Sequence, residues 1–164
     1  MEIEKYSETK REQVLRLIVD FQTYITETDT KGMCCEFASD EDAKKYLEQL
    51  IRDAQEKEGI FLLAIKDGEI VGFIQGIIDR HTDDLLYSLC HKPGAYGWIG
   101  ELYTRPEFRG QGIAKKLIEK IENYFKQNNC VATRIYVMTD NKLALAAYEK
   151  LGYETRDMEL SKEL

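Results

Sequence analysis

The sequence predicts an α/β fold, with helices layered against a mixed sheet. Three observations point there. Apolar residues recur at helical spacing through the first third, two compact apolar runs then flank a turn signal, and the final third alternates strand, helix, strand, helix, strand. A chain of 164 residues suffices for one core, so residues 1–164 are expected to form a single domain.

Taken in order, Glu2–Tyr6 alternates weakly and reads as an opening strand. Thr9-Lys10-Arg11-Glu12 matches a capping box, in which each side chain satisfies the other residue's free backbone N–H. Val14, Ile18, Phe21 and Ile25 follow at helical spacing, with Leu17 and Tyr24 widening the stripe. A second helix opens at Ser39, with Asp42 three residues on, and buries Ala43, Leu47, Leu50, Ile51 and Ala54 before ending near Gly59. Ile60–Ile65 and Ile70–Ile78 then flank Asp67-Gly68, which predicts a β-hairpin. Asp79–Tyr96 is polar and turn-rich and reads mostly as a loop; Trp98–Thr104 reads as a strand stopped by Pro106. Beyond it, Ile113–Gln127 is an amphipathic helix with Leu117, Ile118, Ile121 and Phe125 on one face. Val131–Thr139 is β-rich, with Thr133, Ile135 and Val137 on one side and Tyr136 and Met138 on the other. Leu143–Leu151 is a short helix, Gly152 is placed to end it in the left-handed region, and Tyr153–Leu160 suits a last strand.

Composition narrows the function. With 43% hydrophobic and 32% charged residues the chain is of ordinary globular type. Its longest apolar run, Ile60–Ile65, is too short to span a bilayer, and Met1-Glu2-Ile3-Glu4 is no basic leader, so the expected location is cytoplasmic, with no membrane partner. A net charge of −7 disfavours nucleic acid, which needs clustered Lys and Arg, and suits a cationic substrate as well as plain solubility. Cys34, Cys35, Cys90 and Cys130 form no CxxC pair and are expected as reduced thiols; with His81 and His91 in a loop, no metal site is expected.

The chemistry concentrates in Glu101-Leu102-Tyr103-Thr104-Arg105-Pro106-Glu107-Phe108-Arg109-Gly110-Gln111-Gly112-Ile113-Ala114. A strand ends, a loop turns, and two glycines lead into a helix. Glycines let a ligand approach the main chain, and the helix start presents unpaired N–H groups with partial positive charge. Together they form a cradle for a phosphate or pyrophosphate, with Arg109 and Lys115 at its rim. It is not a P-loop, because no GxxxxGK[ST] string is present. Nor is it a dinucleotide fingerprint, because Lys115 stands where the third glycine belongs.

Arg109-Gly110-Gln111-Gly112-Ile113-Ala114 resembles the (Arg/Gln)-x-x-Gly-x-(Gly/Ala) signature of the GNAT superfamily of N-acetyltransferases, and Leu102–Phe108 is similar to the strand and turn that precede it there. Asp140-Asn141-Lys142-Leu143-Ala144-Leu145-Ala146-Ala147-Tyr148-Glu149-Lys150-Leu151-Gly152-Tyr153 resembles the second signature, an Asn opening a helix followed by a Tyr-Glu-Lys-Leu-Gly-aromatic run. The resemblance covers Trp98 to Tyr153 by motif and the preceding residues by element order. It implies the acyl-CoA N-acyltransferase fold, a mixed, mostly antiparallel sheet flanked by helices.

The resemblance also implies roles. The main-chain N–H groups of Gln111, Gly112, Ile113 and Ala114, beside Arg109 and Gly110, would hold the pyrophosphate of acetyl-CoA. Leu102, Tyr103 and Thr104 would pair with the pantetheine arm through backbone atoms, and the N–H of Tyr103 or a neighbour would polarise the thioester carbonyl. Asn141 would touch the pantetheine region, and Tyr148 would protonate the departing thiolate. Glu101, beside the cofactor strand, is the candidate general base, with Glu36, Asp79 and Asp83 as weaker substitutes. The implied activity is direct acetyl transfer from acetyl-CoA to a primary amine of a small molecule: a polyamine, an aminoglycoside or an amino-acid-like amine. The alternatives are acetylation of a protein lysine or N-terminus, and a non-catalytic acyl-CoA sensor. A homodimer is common among such proteins.

Overall fold

The hairpin predicted around Asp67-Gly68 forms the centre of the sheet in the computed structural model, which describes residues 1–80 and 92–159. Asp67 and Gly68 take φ of 52° and 83°, the left-handed pair that lets a two-residue turn follow the twist of its strands. The turn joins β2 (Ile60–Lys66) to β3 (Glu69–Asp79), antiparallel from Ile60↔Gly76 to Lys66↔Glu69. On the outside, β1 (Glu2–Lys5) pairs antiparallel with β2, and β4 (Ala95–Thr104) antiparallel with β3. β5 (Cys130–Ile135) runs parallel to β4, so the sheet has five strands in chain order and is mixed but mostly antiparallel. Its helices are α1 (Arg11–Thr28), α2 (Asp40–Glu56), α3 (Ile113–Gln127) and α4 (Lys142–Lys150).

Both faces of β2 and β3 are covered, which is why these strands read as unbroken apolar runs rather than alternating ones. Leu62, Ala64 and Ile74 pack with Ile113, Leu117, Ile118, Ile121 and Phe125 of α3. Phe61, Leu63 and Phe73 point the other way, against Val14, Leu17, Ile18 and Phe21 of α1 and Leu47 and Leu50 of α2. The helix stripes thus fall where the periodicity placed them.

Four boundaries differ from the sequence reading. The capping box at Thr9 does not form: Glu8–Lys10 is a short 3₁₀ turn, so Thr9 lies inside it and shares a hydrogen bond with Ser7, while Lys10 precedes α1 without a side-chain cap. Ser39 does cap α2, accepting from the Asp42 N–H at 3.3 Å. β4 starts at Ala95 rather than Trp98, within the segment read as loop; positions 81–91 lie outside the described residues. β5 stops at Ile135 rather than Thr139, because it diverges from β4 there. Residues 153–159 form no strand. Tyr153 instead donates to Glu122 at 2.7 Å, and the polar run Glu154–Glu159 offers little apolar surface to bury. Gly152, at φ 88°, does end α4 as expected.

Gly97 fixes how closely α3 lies on β4. A Cβ there would sit 2.2 Å from the Phe125 ring, with three ring atoms inside 2.7 Å. Gly97→Ala is therefore expected to destabilise the protein by about 1–3 kcal/mol through overpacking. A thermal melt several degrees below wild type checks this; an unchanged melt would mean that α3 is free to move off the sheet.

Candidate active site

The site begins where β4 and β5 part. Their parallel ladder runs from Ala95↔Cys130 to Ile99↔Ile135 and then ends, although β4 continues to Thr104. On its other edge β4 stays paired with β3, with a bulge: Gln75 faces Glu101, Gly76 faces Ile99, and Gly100 is the extra residue. A Cβ on Gly100 would lie 2.5 Å from Gln75 Oε1, so glycine leaves room for the buried Gln75 amide, which donates to Leu50 O at 3.3 Å. Because of the bulge, Trp98 and Glu101 point to the same face despite their odd spacing, opposite Ile99 and Leu102.

The edge that faces the fork can be assigned. The Arg105 N–H donates to Val71 O at 3.0 Å, which makes Arg105–Val71 a hydrogen-bonded pair of the antiparallel ladder. Pairs alternate along such a ladder, so Tyr103 and Glu101 also bond to β3, and the N–H and C=O groups of Leu102 and Thr104 face the fork. Thr104 O accepts from Arg109 Nε at 3.0 Å on that side.

Directly after β4, Pro106–Phe108 makes a 3₁₀ turn and Gly110 and Gly112 take φ of 76° and 78°, a region in which other residues are strained. Gly112 occupies the cap position of α3 without a side-chain bond, and the N–H groups of Gln111, Gly112, Ile113 and Ala114 have no acceptor among the described residues. A Cβ on either glycine would meet nothing within 4 Å, so the space over these amides is open. Arg109 lies beside them with its guanidinium 4.2 Å from the Tyr24 ring. Lys66, which the sequence did not single out, donates to Gln111 Oε1 at 2.7 Å and adds charge at the rim; Lys115 turns toward Glu119 at 3.7 Å.

The far arm of the fork is the start of α4. Asn141 is buried, and its Oδ1 accepts both the Ala144 N–H and the Tyr24 hydroxyl, each at 3.1 Å. Asp140 accepts from Thr30 Oγ1 at 2.5 Å and Lys31 Nζ at 3.1 Å, and these bonds hold its carboxyl below the ordinary value. Cys34 Sγ lies 3.9 Å from Met138 Sδ. The connection between α1 and α2 is thereby fastened across the fork to α4. Among the described residues Cys34, Cys35 and Cys130 are free thiols, and Cys90 lies outside them.

Two titratable groups share the fork. Glu101 is half-buried and accepts a short hydrogen bond from Tyr46 of α2. Burial pushes its carboxyl up to about 7, against the lowering effect of that bond. Tyr148 of α4 is also half-buried, and burial, with Tyr24 and Glu101 adding repulsion, pushes its phenol up to about 12. The structure thus brings Glu101, Tyr148, Leu102, Thr104 and Asn141 to one fork whose end is Arg109–Ala114. It does not bring the other carboxylates there. Glu36 is exposed and accepts from Thr23 at 3.2 Å, Asp79 lies opposite Tyr96 at the far end of β3, and Asp83 is outside the described residues. Sequence reasoning missed Tyr46, whose signal was only a tyrosine beside Leu47 on the flank of the α2 stripe. It placed Tyr24 in the core stripe rather than at Asn141.

A strand fork running into a glycine-opened helix start is the arrangement that the resemblance to acyl-CoA N-acyltransferases implies. Residues 24–153 match the model of the acetyltransferase (GNAT) family, and the chain belongs to that family. Solved structures agree in fold. A mutant of a Bacillus halodurans protein superposes with a TM-score of 0.82 at 19% identity, covering 100% of this chain and 99% of that one. An aminoglycoside 6'-N-acetyltransferase from Acinetobacter haemolyticus gives 0.70 at 20% identity, covering 100% and 99%. An aminoglycoside N-acetyltransferase in complex with CoA gives 0.75 at 17% identity, covering 99% and 93%. No helix among the described residues is long and apolar enough to cross a membrane.

Asn141→Ala removes the cap of α4 and the acceptor of Tyr24 together. Loss of about 1–2 kcal/mol is expected, read as faster hydrogen exchange confined to the α4 amides. Unaltered exchange there would show that α4 does not depend on this cap.

Proposed function

We propose that this protein transfers the acetyl group of acetyl-CoA to a primary amine of a small molecule by direct attack. The observation that carries this reading is the fork itself: a free strand edge, an open row of amides, a carboxyl that ionises near neutrality and a phenol that stays protonated, all along one path. The amides of Gln111 through Ala114 fit the pyrophosphate, and Leu102 and Thr104 fit the amide-bearing pantetheine arm as a strand would. Arg109 and Asn141 flank that path. The Leu102 N–H, next to the bulge and turned into the fork, is the neighbour of Tyr103 suited to polarise the thioester carbonyl.

Acid and base divide by environment. Glu101, with its carboxyl at about 7, is ionised in a useful fraction at neutral pH and accepts the proton of the attacking amine. Tyr148, at about 12, keeps its proton and delivers it to the departing sulfur. A sensor that only bound acyl-CoA would need neither group. The net charge of −7 favours a cationic acceptor, and the aminoglycoside enzymes of the same fold put kanamycin beside spermidine and lysine in the acceptor panel. A cytoplasmic location and a homodimer are consistent with this reading.

Calorimetric titration with acetyl-CoA should show micromolar binding, with ATP binding far more weakly. Gly112→Trp fills the open space over the amides and should weaken acetyl-CoA by roughly tenfold or more while the protein still melts cooperatively. A well-folded wild type that binds no acetyl-CoA would overturn the reading. Tyr148→Phe should lower kcat by about 10²-fold with little change in acetyl-CoA affinity, measured as CoA release with the best amine of the panel; undiminished turnover would remove Tyr148 as the acid.

A further inference from the structure

We propose that Tyr46 is a positioning residue for Glu101: its hydroxyl, carried to the fork by α2, occupies Glu101 Oε1, holds the carboxyl in its ionised form and leaves Oε2 to take the proton. This inference rests on the reading of Glu101 as general base. In the step concerned, an N–H bond of the acceptor ammonium or amine breaks and an O–H bond forms at Oε2, while Oε1 keeps its hydrogen bond from Tyr46.

The sheet gives Glu101 no donor of its own. Its cross-strand neighbour Gln75 turns its amide N–H to Leu50 O, and the adjoining residue is Gly100. No Lys or Arg among the described residues pairs with Glu101, and Tyr46 is the donor that reaches it. Among the described residues, the groups facing the carboxyl are therefore Tyr46 from α2, Tyr148 from α4 and the neutral Gln75 from β3, with Tyr24 of α1 standing beside Tyr148. A half-buried carboxylate without a counter-charge tends to stay protonated, and a protonated group is no base. Among the described residues, one directed hydrogen bond, from Tyr46, favours the charged form.

Tyr46 is also held where it is without help from Glu101. It precedes the fully buried Leu47, α2 is started by the Ser39 cap, and the Phe37 ring packs on the Tyr46 ring at 5.6 Å between centroids. Burial and the neighbouring carboxylate push its phenol far above the ordinary value, so Tyr46 remains a donor over the whole working pH range. The donor is thus fixed before the acceptor amine arrives, and its proton is not the one transferred.

The test reads Glu101 directly and needs no identified amine. The intact protein is prepared with isotope-labelled glutamate side-chain carboxyl carbons, and the Glu101 signal is assigned by its loss in Glu101→Gln. In wild type it should titrate near 7. In Tyr46→Phe, which keeps the ring and removes the hydroxyl, the midpoint should rise by about one pH unit. Phe37→Leu perturbs the same packing but not the hydroxyl and should leave the midpoint unmoved. An unshifted midpoint in Tyr46→Phe, or an equal shift in Phe37→Leu, overturns the positioning role whatever the activity shows. Glu101→Gln retaining full CoA release with an accepted amine overturns the base reading instead, and with it the reason for Tyr46. With that amine, the acid limb of kcat/KM should move to higher pH in Tyr46→Phe by the same amount as the titration, since loss of the donor raises the carboxyl and the base must be ionised to act.

Discussion

The structure turns on one broken pairing. β4 is bonded to β3 along its length but to β5 only from Ala95 to Ile99, so a strand packed on both faces keeps an open edge at Leu102 and the Thr104 N–H, with Thr104 O taken by Arg109. Unpaired backbone groups in such a setting are expensive to leave without a partner, on the order of 1–3 kcal/mol each where water is excluded. The β4–β5 pair is also the parallel one, and a parallel pair needs a crossover. α3 is that crossover, and chain connectivity sets its first turn just past the end of β4. The open edge and the open amides of Gln111–Ala114 therefore lie in sequence along one path, without any side chain having to place them there.

Everything else at the site is brought to that path from outside the sheet. α2 delivers Tyr46 to Glu101, α1 delivers Tyr24 to Asn141 and Arg109, and α4 delivers Tyr148. The bulge at Gly100 makes this geometry work. Were Gly100 paired in a regular ladder instead of bulged out, Glu101 would share a face with Ile99 and be driven into the apolar layer under α3; with the bulge, the carboxyl turns toward α2. The same burial that raises the Glu101 carboxyl raises the Tyr148 phenol, and since one starts acidic and the other basic, a common environment places one near neutrality and leaves the other protonated.

How much of this was legible depended on whether the signal was local. The helix stripes, the Asp67-Gly68 hairpin, the Ser39 cap and the Gly152 stop are set within a few residues and were readable. So was the cradle, since Gly110 and Gly112 mark positive φ in the sequence itself. The end of β5 was not, because Val137 and Met138 have the composition of a strand and only the divergence from β4 stops the ladder. The Thr9 capping box failed for a related reason: Ser7 turns the chain earlier, and two adequate cap signals compete within three residues. Tyr46–Glu101 and Tyr24–Asn141 link residues 55 and 117 positions apart, and no pattern in one chain announces such pairs.

On the proposed function, the donor side is made of main-chain groups, and their positions follow from the fork, two glycines and the start of α3, so side chains there can vary with little effect on the amides. On the same reading the acceptor side is bounded by the connection between α1 and α2, whose anchors are side chains: Asp29 gathers the N–H groups of Lys31, Met33 and Cys34, while Thr30 and Lys31 reach Asp140. Replacing residues between these anchors reshapes what the fork faces and leaves the cradle untouched. Tyr46 stands between the two sides, seated on α2 next to that connection and bonded to the carboxyl in the fork. A change of acceptor pocket that displaced the Tyr46 hydroxyl would therefore alter the ionisation of Glu101 as well as the fit of the amine. If Glu101 is the base, as proposed, specificity and proton transfer are coupled through one phenol, which limits how far the pocket can drift while Glu101 stays ionised at neutral pH.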